Sequence, residues 1–132
     1  MIVIDASAAA DLLLGTERAG GVARALSSVS EAHAPELLDP EVVTVVQRWT
    51  RRGWLAPDAG GRVVEELGEL AVVRHRHAVL LRRTWELRDR CSAYDACYVA
   101  LAEVLGAQLL TTDDRLGRSV AGLVEVASVG DH

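Results

Sequence analysis

Lysine and phenylalanine are absent from this 132-residue chain, while cysteine, proline and methionine occur two, three and one times. Cys91 and Cys97 form no Cys-x-x-Cys pair and have no histidine at zinc-site spacing, so a disulfide scaffold is excluded and two reduced thiols are expected. No apolar stretch reaches the roughly 18 residues of a membrane span. Met1-Ile2-Val3-Ile4-Asp5 carries no basic region and its apolar run breaks at Asp5. No signal peptide is therefore expected, and the cytoplasm is the expected location. All 14 basic residues are arginine, which beside the abundance of Ala, Val, Leu and Gly reflects a GC-rich coding sequence before any preference for phosphate.

What is present is the composition of a soluble globular protein, 50% apolar and 25% charged. A domain of this length buries roughly 65–70% of the surface its unfolded chain exposes, enough for a core without metal or disulfide staples. Nothing marks a second unit, so residues 1–132 are expected to form one domain. The net charge of −5 argues against binding nucleic acid mainly through bulk positive charge.

Short β-type runs alternate with longer helical patterns, which predicts an α/β fold with a mostly parallel sheet of four to five strands. Ile2-Val3-Ile4 is continuously apolar, the pattern of a strand covered on both faces. Helices are expected over Ala8–Leu14 and Glu17–Ser28, then a short strand around His33-Ala34-Pro35. Asp39-Pro40-Glu41 predicts a helix start capped by Asp39 and running to near Gly53, and Ala56-Pro57-Asp58 opens another that ends near Gly68. Leu70–Val73 reads as a strand, Ala78–Arg90 as a long helix, and Ser92–Leu105 as a helix closed by Gly106. Leu109-Leu110-Thr111 and Leu123–Val126 are the remaining strands, with a helix beginning at Thr112-Asp113-Asp114 between them.

In an open parallel sheet, ligands bind outside the carboxyl ends of the strands. Asp5 ends the first strand and Asp113 follows the Leu109 strand, so both fall on that edge. Glu41 and Asp95 occupy the first turns of helices that can start there. Each acid also has a local role available. Ser92-x-x-Asp95 resembles a capping box, Glu41 and Asp113 suit helix N-termini, and Asp5 can cap the helix after it. Asp5 is the hardest to explain locally, since an acid ending an apolar strand adds nothing to packing. Gathered together, such carboxylates would repel one another unless a hard divalent cation neutralised them. That chemistry points to metal-assisted phosphodiester hydrolysis.

Four segments carry a resemblance that spans nearly the whole chain: Ile2-Val3-Ile4-Asp5-Ala6-Ser7, Pro40-Glu41-Val42, Ser92-Ala93-Tyr94-Asp95 through Glu103, and Leu109-Leu110-Thr111-Thr112-Asp113. In order and spacing they resemble the PIN-domain ribonucleases, most of all the VapC-like toxins of prokaryotic toxin–antitoxin pairs. The resemblance implies a PIN-like α/β/α fold and an endoribonuclease dependent on Mg²⁺, with Mn²⁺ as a substitute. It implies Asp5 and Asp95 as principal metal ligands, completed by Glu41 and Asp113, with Ser7 and Thr111 as supporting hydroxyls. Asp114 stands as an alternative to Asp113. The implied partners are an RNA substrate, a cognate VapB-like antitoxin and a second copy of the chain in a homodimer.

Between Arg74 and Arg90, six arginines face Glu86 and Asp89, a local charge of +4, and Arg82 and Arg83 are candidate RNA contacts there. A solvated helix face explains the same pattern. His75 and His77 would share one side of a strand and could share a metal, but no third ligand of matching type is apparent. Trp49, Trp54 and Trp85 are expected in the core or an interface. The rival from another functional class is a non-catalytic, flavodoxin-like binding module that uses the same strand edge for a ligand or a protein partner.

Overall fold

The structure is a computed structural model that describes residues 1–130. Its strands are β1 (Ile2–Ile4), β2 (Ala32–Pro35), β3 (Val73–His75) and β4 (Gln108–Leu110). Its helices are α1 (Ala6–Leu14), α2 (Ala19–Ser27), α3 (Leu38–Arg51), α4 (Pro57–Glu69), α5 (Leu81–Glu86), α6 (Ala93–Leu105) and α7 (Asp114–Val120). The strands pair in the order β3-β2-β1-β4, and every pairing is parallel. The chain leaves β1 toward β2 on one side and returns as β4 on the other. The crevice between the carboxyl ends of β1 and β4 is therefore the switch point of the sheet, where α/β folds of this kind bind ligands.

All three β1 residues are buried, as a strand covered on both faces requires. On one face α6 packs across β1, β2 and β4, with α5 against its outer side. Its residues Ala96 to Leu101 are all buried, so this helix is apolar around most of its circumference. Helices α1 to α4 pack among themselves as the other layer, with Ala8 and Ala9 fully buried and allowing close approach. The expected three-layer α/β/α architecture is what forms.

Four local expectations are corrected. The apolar run Leu70–Val73 is spent on a turn, because Leu70 caps α4 and the Val72 N–H bonds back to the Leu70 carbonyl at 2.7 Å. The strand starts only at Val73, opposite His33. The long helix over Ala78–Arg90 breaks into a single 3₁₀ turn, the short α5 and a turn from Leu87, since only Leu80 and Leu87 are buried in it. So little apolar surface does not hold a longer helix. Asp39 lies inside the first turn of α3 and pairs with Arg74 Nε at 3.0 Å instead of capping the helix. The fifth strand shrinks to a single bridge between Leu109 and Val126, because the N–H groups of Leu123 and Val124 turn back to the Val120 carbonyl.

Leu109 is fully buried, between β1 and that bridge. Leu109→Ala should cost about 3 kcal/mol through lost burial and the cavity left behind, lowering the melting temperature by about 10 °C. Val104→Ala, at a 69% exposed position of the neighbouring helix, should change stability by less than about 0.5 kcal/mol in the same thermal melts.

Candidate active site

The backbone brings the four acids to one edge. Asp5 directly follows β1, and its N–H continues the ladder by bonding the Leu110 carbonyl of β4 at 3.0 Å. Glu41 is in the first turn of α3, just beyond β2. Helix α6 precedes a parallel strand and so runs antiparallel to it, which sets its first turn, with Asp95, over the carboxyl edge. Asp113 caps α7 beyond β4.

Asp5 is 4% exposed, and burial pushes its carboxyl up to about 6. Hydrogen bonds from its neighbours oppose this rise, and the nearby Asp95 charge adds to it. Asp5 Oδ1 accepts the Ala8 N–H at 2.9 Å and the Ser7 hydroxyl at 2.7 Å. Ser7 Oγ also accepts the Thr112 N–H at 3.1 Å and lies 3.2 Å from Thr111 Oγ1, which in turn accepts the Asp113 N–H at 3.0 Å. Ser7 and Thr111 thus tie the end of β1 to the end of β4 and fix Asp5 relative to Asp113.

Asp95 is the electrostatic hub. Burial raises its pKa first, the Asp113 charge raises it further, and the Ser92 cap and Arg115 pull it down. Glu41 is raised by burial and by Asp95, against a 2.6 Å hydrogen bond donated by the Tyr98 hydroxyl. Tyr98 is 1% exposed and its own proton is held more tightly than usual, chiefly by burial and also by Glu41. It stands one turn after Asp95 on α6, so the same helix face carries one acid and orients another. The sequence reading missed Tyr98 as a site residue. Its signal was a tyrosine three residues after an acid on an otherwise apolar helix.

The capping roles are also real. Asp5 caps α1, Ser92 caps α6 through the Asp95 N–H, and Asp113 Oδ1 accepts from the N–H groups of Arg115 and Leu116. Asp114 is 72% exposed in its side chain and pairs with Arg18 at 3.4 Å, so its charge is compensated outside the cluster. Asp113, and not Asp114, is the acid coupled to Asp95.

Among the described residues no three acid, His or Cys side chains stand at metal-ligand spacing. The donor set still fits a hard divalent cation. Asp5, Glu41 and Asp95 are carboxylates whose proton affinity is raised by burial and by neighbouring acids, and among the described residues no arginine forms an ion pair with any of the three. Mg²⁺ is commonly held by only one or two carboxylates with waters completing the shell, so a preassembled protein cage is not required.

The histidines make other contacts. His75 Nε2 lies 2.8 Å from His33 Nδ1, and His33 Nε2 lies 3.1 Å from Glu31, whereas His77 Nε2 accepts the Leu37 N–H. His75 and His77 therefore share no site. Arg83 does not present a free guanidinium, because Nε and Nη2 make a two-point pair with Glu103 at 2.8 and 2.9 Å. Glu103 is eight residues along α6 from Asp95, roughly 12 Å at the helical rise. Arg82 is exposed and makes no side-chain hydrogen bond among the described residues. Trp54 and Trp85 are 60% and 67% exposed, so neither is core, while Trp49 is half-buried with its ring edge-on to Trp54.

Fold and site together define a class: a parallel α/β domain that presents carboxylates at the switch point of its sheet. Residues 2–121 match the PIN domain family. Ribonuclease VapC9 of Mycobacterium tuberculosis is 43% identical over 116 residues, covering 88% of each chain. Among solved structures, that of VapC20 from the same species, described as a sarcin–ricin loop cleaving toxin, superposes with a TM-score of 0.71 at 25% identity over 97% of this chain and 100% of that one. A toxin–antitoxin complex from Klebsiella pneumoniae shares the fold, with a TM-score of 0.73 at 16% identity over the full length of both chains. The chain belongs to the PIN-domain family and, within it, to the VapC ribonucleases.

The raised pKa of Asp5 has a stability consequence whose sign is fixed. A carboxyl held at about 6 in the fold and near 3.8 in the unfolded chain binds its proton more tightly when folded. The metal-free protein is therefore favoured below pH 4 and loses about 3 kcal/mol as the pH rises through 6, as far as this group is concerned. Asp5→Asn keeps an oxygen for Ala8 and Ser7 but carries no charge. It should melt higher than the parent at pH 7.5 in EDTA, with the difference vanishing near pH 4. An unchanged difference across that range would show that Asp5 titrates normally.

Proposed function

We propose that this chain is a divalent-metal-dependent endoribonuclease acting as the toxin of a toxin–antitoxin pair, with Mg²⁺ as the working ion and Mn²⁺ able to replace it. The observation that carries the proposal is the buried carboxylate of Asp5 at the sheet switch point, electrostatically coupled to Asp95, which is coupled in turn to Glu41 and Asp113. In this proposal Asp5 and Asp95 are the principal ligands, and Glu41 and Asp113 complete the set directly or through water. The bound ion supplies Lewis acidity, which activates water and offsets charge developing on the phosphate. Ser7 and Thr111 hold Asp5 and the Asp113 loop in register, and Tyr98 orients Glu41. A ligand or partner module without catalysis is less well supported, because it gives no reason to accumulate mutually repelling acids at a switch point.

The reading includes a cognate antitoxin, by likeness to relatives named as VapC ribonucleases and to a fold found in a toxin–antitoxin complex. It also includes a homodimer, for which exposed Val79, Leu81 and Trp85 supply apolar surface.

Purified Asp95→Asn and Glu41→Gln should each cut RNA about 100-fold more slowly than the parent in Mg²⁺, or worse, while Asp114→Ala stays within about threefold. Mg²⁺ at a hundred times its dissociation constant should stabilise the parent by about 2.7 kcal/mol in thermal melts and leave Asp95→Asn nearly unmoved. If both proteins respond alike and cleavage is unaffected, the acids are helix caps and nothing more.

A further inference from the structure

The acidic edge must accept a polyanion, and most arginines near it are already committed. Arg74 is paired with Asp39, Arg83 with Glu103 and Glu86, and Arg18 with Asp114. Arg88 lies over the Trp85 ring, 4.6 Å from its centroid. Arg90 and Arg115 line one cleft of about 360 Å³ together with Asp95, Asp113, Ser92 and Ser119. Neither makes an ion pair among the described residues. Arg82 and Arg118 make none among them either, but Arg82 lines neither cleft at the acids and Arg118 lies in the adjoining cleft beside Asp113 without Asp95. Arg90 is nevertheless placed, because its Nη2 donates to the Ser119 carbonyl at 2.9 Å, a neutral acceptor that orients the guanidinium and leaves its charge intact. Arg115, on the first turn of α7, is close enough to Asp95 to pull that carboxyl's pKa down.

We infer that Arg90 and Arg115 form the phosphate-binding wall of the site, holding the RNA backbone on either side of the bond presented to Asp95 and Asp113. The inference rests on the ribonuclease reading above. It reassigns the RNA contact from Arg82 and Arg83 to Arg90, at the end of the same arginine-rich stretch, and to Arg115 on α7. The occupant is a phosphodiester strand. The cleft offers two guanidiniums able to bond phosphate oxygens in pairs and two serines in its lining. Its volume is within the range of small-ligand pockets, about 300–1,000 Å³, so it suits a short backbone segment better than a folded duplex.

The test compares steady-state cleavage of a single-stranded RNA by the parent, Arg90→Ala, Arg115→Ala, the double variant and the two Arg→Lys variants, in Mg²⁺ at several salt concentrations. Both positions are exposed, and thermal melts confirm that the variants fold. Each alanine variant should raise KM roughly three- to tenfold with kcat within about twofold, and the double variant should flatten the plot of log KM against log salt by about 1.4. Lysine at either position should recover the salt slope, since it restores a charge, but only part of KM, since it lacks the two-point geometry. Unchanged KM and slope in the double variant would overturn the inference, as would a loss of slope in Arg82→Ala or Arg83→Ala in its place. If the parent itself cuts no RNA, the ribonuclease reading fails first, and direct binding of uncut RNA to the parent and the double variant still decides whether these arginines hold phosphate.

Discussion

The hydrogen bonds that Ser7 makes across the carboxyl ends of β1 and β4 are the constraint on which the site depends. One hydroxyl donates to Asp5 and accepts from the Thr112 N–H, 105 residues away in sequence. The parallel ladder runs one residue past β1 into this junction, where the Asp5 N–H bonds the carbonyl of Leu110 at the end of β4. Asp5 is buried because β1 is buried, and β1 is central because β2 and β4 flank it. A carboxylate in that position costs a few kcal/mol at neutral pH. The core beneath it, from Ile2 to Ile4 and from Ala96 to Leu101, is apolar and closed enough to carry that cost.

Helix capping and metal chemistry are not competing explanations for these acids. In a parallel α/β sheet every helix that follows a strand starts at the carboxyl edge, and a helix start favours an acid near its free N–H groups. Several such starts around one switch point bring the capping acids together. Asp113 shows both roles in one side chain. Its Oδ1 accepts from two N–H groups of α7, while its charge raises the proton affinity of Asp95. Every buried polar side-chain atom among the described residues has a partner, so the strain in the site is one of repulsion between charges and not of unmade bonds.

The sequence was informative where local pattern and global fold agree. The apolar triplet of β1, the alternation of strands with helices, and the acids after β1 and β4 are properties of short segments, and all three appear where the residues place them. The errors lie where a long-range contact decides. Leu70–Val73 has strand composition, but its register is set by where β2 lies, three residues further on than the apolar run suggests. Asp39 looks like a cap until Arg74 is 3.0 Å away. Val126 pairs at one residue only, because a turn at the end of α7 takes up the residues before it. Tyr98 is legible as a buried residue, but its 57-residue link to Glu41 depends on how α6 crosses the sheet.

Charge shows the same limit most sharply. A total of −5 describes no surface that a ligand meets, and the +4 stretch from Arg74 to Arg90 describes none either. Folding sorts those arginines by partner: carboxylates cancel Arg74 and Arg83, while a backbone carbonyl holds Arg90 and cancels nothing. The last distinction matters most for a polyanion, since an arginine in a two-point pair with an acid must break that pair before it can bind phosphate. A guanidinium positioned by a neutral acceptor is ordered in advance and still fully charged. The absence of lysine makes such sorting effective, because a planar fork can be fixed through one nitrogen while its others remain available, which a single ammonium on a flexible stem does less well.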